Sequence, residues 1–224
     1  MNRTDEDSAL PVTEGCFPGG WIGSPSLSIS EGEYLPRWSV DRAVYHVAFH
    51  LADAIPVPER AKWREIRESL VAVARQVKRE LTQDERALLK AAYDERIERY
   101  LASGNGACLL RDMATVEAVG GILEYGNGKD YALHCWCVMP NHLHVVVAFE
   151  KADDLSRTVA RWKRISAHQI NRLAGRKGPV WMDDAYTRII RSQEEYRHQL
   201  SYVWNNPESA RLASGFRRRR YVEW

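Results

Sequence analysis

Trp136-Cys137-Val138-Met139-Pro140-Asn141-His142-Leu143-His144-Val145-Val146-Val147 decides how this chain is read. An apolar run enters a Pro-Asn turn and leaves as a second, Val-rich run, the pattern of a hairpin between two buried strands. Side chains alternate along a strand, so His142 and His144 share one face while Val145 and Val147 take the other. Two imidazoles on one face suit a divalent cation or a phosphate. They also suit a solvated polar face, because an HxH pair alone is a weak motif. The context argues for a site: the strand reads as central, and buried imidazoles need partners.

Upstream, residues 44–51 alternate as a first strand. Tyr45, Val47, Phe49 and Leu51 form one face; His46, Ala48 and His50 form the other, where the two histidines read as polar-face residues rather than ligands. Residues 59–104 read as an inserted helical hairpin, with Trp63, Ile66, Leu70, Val73 and Val77 at spacings of three and four. Thr82 and Glu85 make a capping box, and Gly104 and Gly106 stop the second helix. Cys108-Leu109-Leu110 reads as a short extended piece, after which Asp112 caps a helix to about residue 125. Residues 131–139 and 142–149 are the two hairpin strands, with Cys135 and Cys137 on the face opposite His134 and Trp136. Asp153 or Asp154 caps a helix to about residue 174, residues 185–191 are extended, and residues 193–205 form a last helix. The order strand, helices, strand, strand, helix, strand, helix predicts an α+β fold. Its expected core is ferredoxin-like βαββαβ, an antiparallel sheet with helices on one face.

The 224 residues suit one domain with additions. Residues 1–34 read as a disordered or loosely docked tail, 35–215 as the folded domain and 216–224 as a basic C-terminal tail. Hydrophobic content of 45% and charged content of 28% are those of an ordinary globular chain. The net charge of +2 carries no nucleic-acid signal, but its distribution does. Arg157, Arg161, Arg164, Arg172 and Arg217-Arg218-Arg219-Arg220 crowd the second half, which fits either a local phosphate-binding surface or a solvated face with a basic tail. The cysteines at 16, 108, 135 and 137 include no CxxC pair, and CxC within a strand is poor geometry for a zinc knuckle. No apolar run reaches the length of a membrane span and no signal core opens the chain, so a cytoplasmic protein with no membrane partner is expected.

The last helix contains Tyr202-Val203-Trp204-Asn205-Asn206, in which residues four apart point together. A phenol beside a cation that polarises a phosphate can attack phosphorus, and an amide oxygen can complete a ligand set of oxygen and imidazole. Spacing alone also allows a half-buried helix tyrosine. Tyr196 is a rival nucleophile that lacks the following Asn-Pro.

The stretch from Cys137 through Val146 resembles the metal-binding strand of HUH-type single-tyrosine transposases, most of all the REP-associated tyrosine transposases. The resemblance extends through Val180-Trp181, Ile189-Ile190-Arg191 and Tyr202-Val203-Trp204-Asn205-Asn206-Pro207, and Tyr45-His46-Val47-Ala48-Phe49-His50-Leu51-Ala52-Asp53 is similar to that group's first strand. It implies that His142, His144 and Asn206 hold Mg²⁺ or Mn²⁺. It implies that Tyr202 attacks single-stranded, hairpin-associated DNA to leave a 5′-phosphotyrosine and a 3′-hydroxyl, and that strand transfer reverses the step. Arg157, Arg161, Arg164, Arg188 and Arg191 are the candidate DNA contacts. Relatives of this kind act as monomers or homodimers. Thr187 stands where the group often has Asp or His, and Ser209-Ala210 where it usually has a basic residue and a glycine. Two other readings use the same residues: a catalytically silent nucleic-acid-binding regulator, and a phosphohydrolase that uses water.

Overall fold

The computed structural model describes residues 26–30, 37–77, 82–93 and 97–223. Most of the expected N-terminal tail lies outside the described residues. Residues 26–30 do not: within them Ser28–Ser30 (β1) pairs antiparallel with Arg37–Ser39 (β2) as a small two-stranded sheet.

Next come Ala43–His50 (β3), the helices Val57–Gln76 (α1), Gln83–Tyr93 (α2) and Arg99–Ala102 (α3), and Met113–Glu124 (α4). Ala132–Val138 (β4) and His142–Phe149 (β5) form the hairpin, followed by Ala152–Leu173 (α5), Tyr186–Ile189 (β6), Gln193–Trp204 (α6), Asn206–Ser209 (α7) and Arg217–Arg220 (β7). One five-stranded sheet runs in the order β6-β3-β5-β4-β7, with every neighbouring pair antiparallel. Without β7 this is the expected ferredoxin-like core: β3, α4, β4, β5, α5 and β6 in chain order, with β5 between β3 and β4.

The strands β3 and β4 are buried along their whole length, so both faces of the sheet need cover. On one face Tyr45, Val47, Phe49, Trp136, Val145 and Val147 join Leu155, Val159 and Trp162 of α5 in the main core. On the other, Val44, Cys135, Cys137 and Val146 pack against Tyr196, Leu200 and Val203 of α6. Helices therefore lie on both faces, not one, and α6 covers the histidine side.

Local chemistry explains most element ends. Thr82 and Glu85 exchange the two bonds of a capping box, at 2.8 and 3.2 Å. Asp112 accepts from the Thr115 amide at 2.9 Å at the start of α4. At α5 the expectation fails. Asp153 and Asp154 lie inside the first turn, where they favour the helix dipole, and Asp41 accepts from the Ala152 amide at 2.9 Å instead. Leu109–Arg111 is a 3-10 turn rather than an extended piece, entered through Cys108 in the left-handed region at φ 48°.

Two further corrections concern β4 and its edge. The pairing of β4 with β5 slips between Leu133 and Cys135, so His134 is an extra residue. A bulge breaks strict alternation. The His134 ring consequently meets Tyr196 of α6 on the same side as Cys135, not the opposite side. The expected basic tail is the edge strand β7, paired with β4 from Cys135 to Val138. Its arginines are used within the fold. Arg218 makes two 2.7 Å contacts to Glu208 and sits 4.2 Å over the Trp204 ring, Arg219 reaches Glu124, and Arg217 pairs with Glu117. A charged edge of this kind also protects the sheet from pairing with another chain.

Candidate active site

Three elements bring the site together: β3 and β5 side by side, and α6 across their face. The turn between β4 and β5 is closed by the Met139 amide donating to the His142 carbonyl at 2.8 Å. The Asn141 carbonyl accepts from Leu51, and the Pro140 carbonyl from Leu110. These bonds fix where β5 begins, and with it the direction of His142 and His144. Both are buried, at 3% and 1% exposure. Their rings lie 4.8 Å apart.

The side chain of Asn141 sets the proton position on His142. Its Nδ2 donates to the Asn105 carbonyl at 3.0 Å, which orients the amide. Its Oδ1 therefore faces Nδ1 of His142 at 2.8 Å and can only accept. The proton is on Nδ1, and Nε2 carries a lone pair. His144 is held differently. Its Nδ1 lies 3.0 Å from Nε2 of His46, and the two rings stack with centroids 5.2 Å apart. When His144 donates in this pair, its Nε2 also has a lone pair, and no described residue hydrogen-bonds that atom. Burial pushes the pKa of both imidazoles well below the ordinary value, as it does for His46, held down to about 3 by burial and then by the Arg188 charge. All three are neutral near pH 7, the form in which an imidazole binds a cation.

Tyr202 approaches from α6. Its ring meets those of His144 and His46 edge-on, with centroids 5.4 and 5.8 Å away. Its hydroxyl donates to Oε2 of Glu98 at 2.8 Å. Burial, and then the neighbouring Glu98, raise the phenol's pKa above its usual value. Pro207 lacks an amide proton, and α6 ends at Trp204. Asn206 opens α7 yet stays buried, and its side chain interacts with both His142 and the Tyr202 hydroxyl. The four residues singled out from the sequence thus share one spot, where the two histidines and Asn206 are buried and Tyr202 is partly so.

The donor set fits a divalent cation. It offers two neutral imidazoles, one with a buried Nε2 lacking any described partner, and an amide within reach. Among the described residues no group of three His, Cys, Asp or Glu side chains is arranged to hold a metal ion, and the side chain that joins the two imidazoles here is the amide of Asn206. The rival tyrosine is elsewhere: the Tyr196 hydroxyl pairs with Nδ1 of His134 at 2.9 Å in the core under α6. Cys135 and Cys137 are buried thiols, and burial pushes Cys135 up to about 12, so they pack as small apolar groups.

The candidate DNA-contacting arginines divide. Arg157, Arg161 and Arg164 lie on α5, which packs on the opposite face of the sheet from Tyr202. Arg157 pairs with Asp154 at 2.8 Å and Arg161 with Asp130 at 2.6 Å. Arg188 is on the histidine side, because β6 pairs it with His46, and its guanidinium holds Glu195 at 2.6 Å. Arg191 follows β6, 5.3 Å over the Trp38 ring. Trp162 and Trp181 are core residues, and Trp204 lies beneath Arg218.

Sequence reasoning missed four participants. His46 and His50 share a face with each other, which alternation showed, but only strand pairing sets His50 opposite His142 and His46 beside His144. Asn141 read as a turn residue. Nothing in the helical pattern of residues 59–104 marked Glu98.

Residues 111–206 match the family model described as transposase IS200 like. The chain is 27% identical over 86 residues to the REP-associated tyrosine transposase of Escherichia coli (strain K12), a match covering 38% of this chain and 50% of that protein. The matched stretch thus spans about half the length of this curated relative. Among solved structures, the REP-associated tyrosine transposase bound to a REP hairpin aligns with a TM-score of 0.38 and 14% identity, over 80% of this chain and 73% of that one. Among the described residues no helix is long and apolar enough to cross a membrane. His142, His144, Tyr202 and Asn206 all fall within the stretch that matches the IS200-like transposase model.

Proposed function

We propose that this protein nicks and rejoins single-stranded, hairpin-associated DNA through a 5′-phosphotyrosine on Tyr202, with Mg²⁺ or Mn²⁺ held by His142, His144 and Asn206. The observation that carries the reading is the convergence of Tyr202, from α6, on the two histidines of β5, with Asn206 interacting with both partners. The match of residues 111–206 to a transposase model supports DNA as the substrate.

A bound cation would supply charge neutralisation at the scissile phosphate and a template for its oxygens. The residues of the chain do the rest. Burial keeps the two imidazoles neutral, and Asn141 and His46 engage their Nδ1 atoms, which leaves Nε2 as the atom to bind a cation. The two histidines and Asn206 are buried and Tyr202 partly so, which limits access of water and favours attack by Tyr202 over hydrolysis. The Tyr202 oxygen forms a bond to phosphorus as the bond to the 3′-oxygen breaks. The phosphotyrosine keeps a diester, so rejoining needs no nucleotide. Arg188, on the same side of the sheet, is the candidate phosphate contact nearest this chemistry.

The test is a labelled single-stranded hairpin panel incubated with Mn²⁺ and resolved on a denaturing gel. A covalent protein–DNA band is expected, absent with chelator and absent in Tyr202→Phe. Cleavage by Tyr202→Phe without an adduct would replace the reading with a phosphohydrolase that uses water. Hairpin binding with no adduct in the parent protein would replace it with a silent regulator.

A further inference from the structure

We propose that Glu98, from the helical segment between β3 and β4, is a catalytic residue that takes the proton of Tyr202 when the hydroxyl attacks phosphorus and returns it on rejoining. The inference rests on the function proposed above, and it assigns a role to a segment outside the family match.

The geometry is direct. The Tyr202 hydroxyl donates to Oε2 of Glu98 at 2.8 Å, the spacing at which a proton passes along an existing hydrogen bond. Glu98 does not hang from a loose loop. Ile97 beside it is fully buried and Leu101, one turn on, is 4% exposed, both within the main core. The turn that carries the carboxylate is therefore fixed to the body of the protein. Glu98 itself is only partly buried, so its ionised form keeps some hydration.

Chemistry makes such a group necessary. A neutral phenol is a weak nucleophile, and Tyr202 is partly buried against apolar packing, where a lone phenolate is costly. The neighbouring imidazoles do not offer an alternative base, because their Nε2 atoms are the donors proposed for the cation. In the forward step the phenol oxygen bonds to phosphorus, the P–O3′ bond breaks, and the phenol proton passes to Glu98. The departing 3′-oxygen takes a proton from water. On rejoining, an incoming 3′-hydroxyl loses its proton to water, and Glu98 protonates the departing phenolate.

The test compares the parent protein with Glu98→Gln, Glu98→Ala and Tyr202→Phe in single-turnover adduct formation with Mn²⁺ and a hairpin substrate, alongside hairpin binding by each. Glu98→Gln keeps the size of the side chain and an acceptor oxygen but cannot hold a proton. It should slow adduct formation on the order of 10²–10⁴-fold with binding unchanged. Glu98→Ala should be as slow and should regain rate with added formate, which a purely structural role would not produce. Rejoining from adduct made by the parent reaction should slow by a similar factor in Glu98→Gln. An adduct rate in Glu98→Gln equal to or above that of the parent would overturn the inference and leave the proposed function standing. Absence of any adduct from the parent protein, with binding intact, would overturn both.

Discussion

Acidification from pH 7.5 to pH 5 should destabilise this protein by about 4 kcal/mol through two of its buried imidazoles. In the folded chain burial holds His46 down to about 3 and His134 to about 4. An unfolded histidine titrates near 6.5. Both groups therefore contribute stability that is fully present above pH 6.5 and is lost as the pH falls toward the folded values, because the unfolded chain takes up protons the folded chain refuses. At about 1.4 kcal/mol per pH unit, each loses about 2 kcal/mol at pH 5, an appreciable part of the 5–15 kcal/mol typical of a folded domain. His142 and His144, lowered by the same burial, act in the same direction. The assay is equilibrium urea unfolding followed by tryptophan fluorescence at the two pH values, with chelator present. His134→Phe isolates one share, since His134 stands apart from the proposed cation site on the bulge under Tyr196. Whatever packing it costs at both pH values, it should reduce the difference between them by about 2 kcal/mol. An unchanged difference in that variant, or a parent protein more stable at pH 5, would refute the reasoning.

Three further outcomes are expected. His46→Ala removes the partner of Nδ1 on His144 and should weaken Mn²⁺ binding about 10–100-fold by calorimetry, the usual effect of losing a group that orients a ligand. Gly120→Ala places a methyl 2.9 Å from the ring of buried Trp136, and overpacking of about 1–3 kcal/mol should outweigh the gain of about 1 kcal/mol in helix propensity, lowering the melting temperature. Asp112→Ala leaves the Thr115 amide without its cap and should cost about 1 kcal/mol in urea unfolding, without altering hairpin binding.

Local rules made much of this protein legible from its sequence. The two-residue period of β3 and β5, the Pro140-Asn141 turn, the Thr82–Glu85 capping box and the Asp112 cap all depend on residues close in the chain, so the pattern carries them. The pair His142 and His144, and the four-residue step from Tyr202 to Asn206, were visible for the same reason, and the ferredoxin-like order followed from the sequence of elements. Tertiary structure alone decided the rest. Strand pairing turned His46 from a polar-face residue into the partner of His144. A bulge carried His134 to the side of Cys135, and edge pairing made a strand of the four C-terminal arginines. Glu98 meets Tyr202 across more than a hundred residues of chain. A period reports which side chains share a face, but not which element covers that face. Contacts between elements are selected by the burial of both surfaces at once, and that selection leaves no mark on either segment by itself.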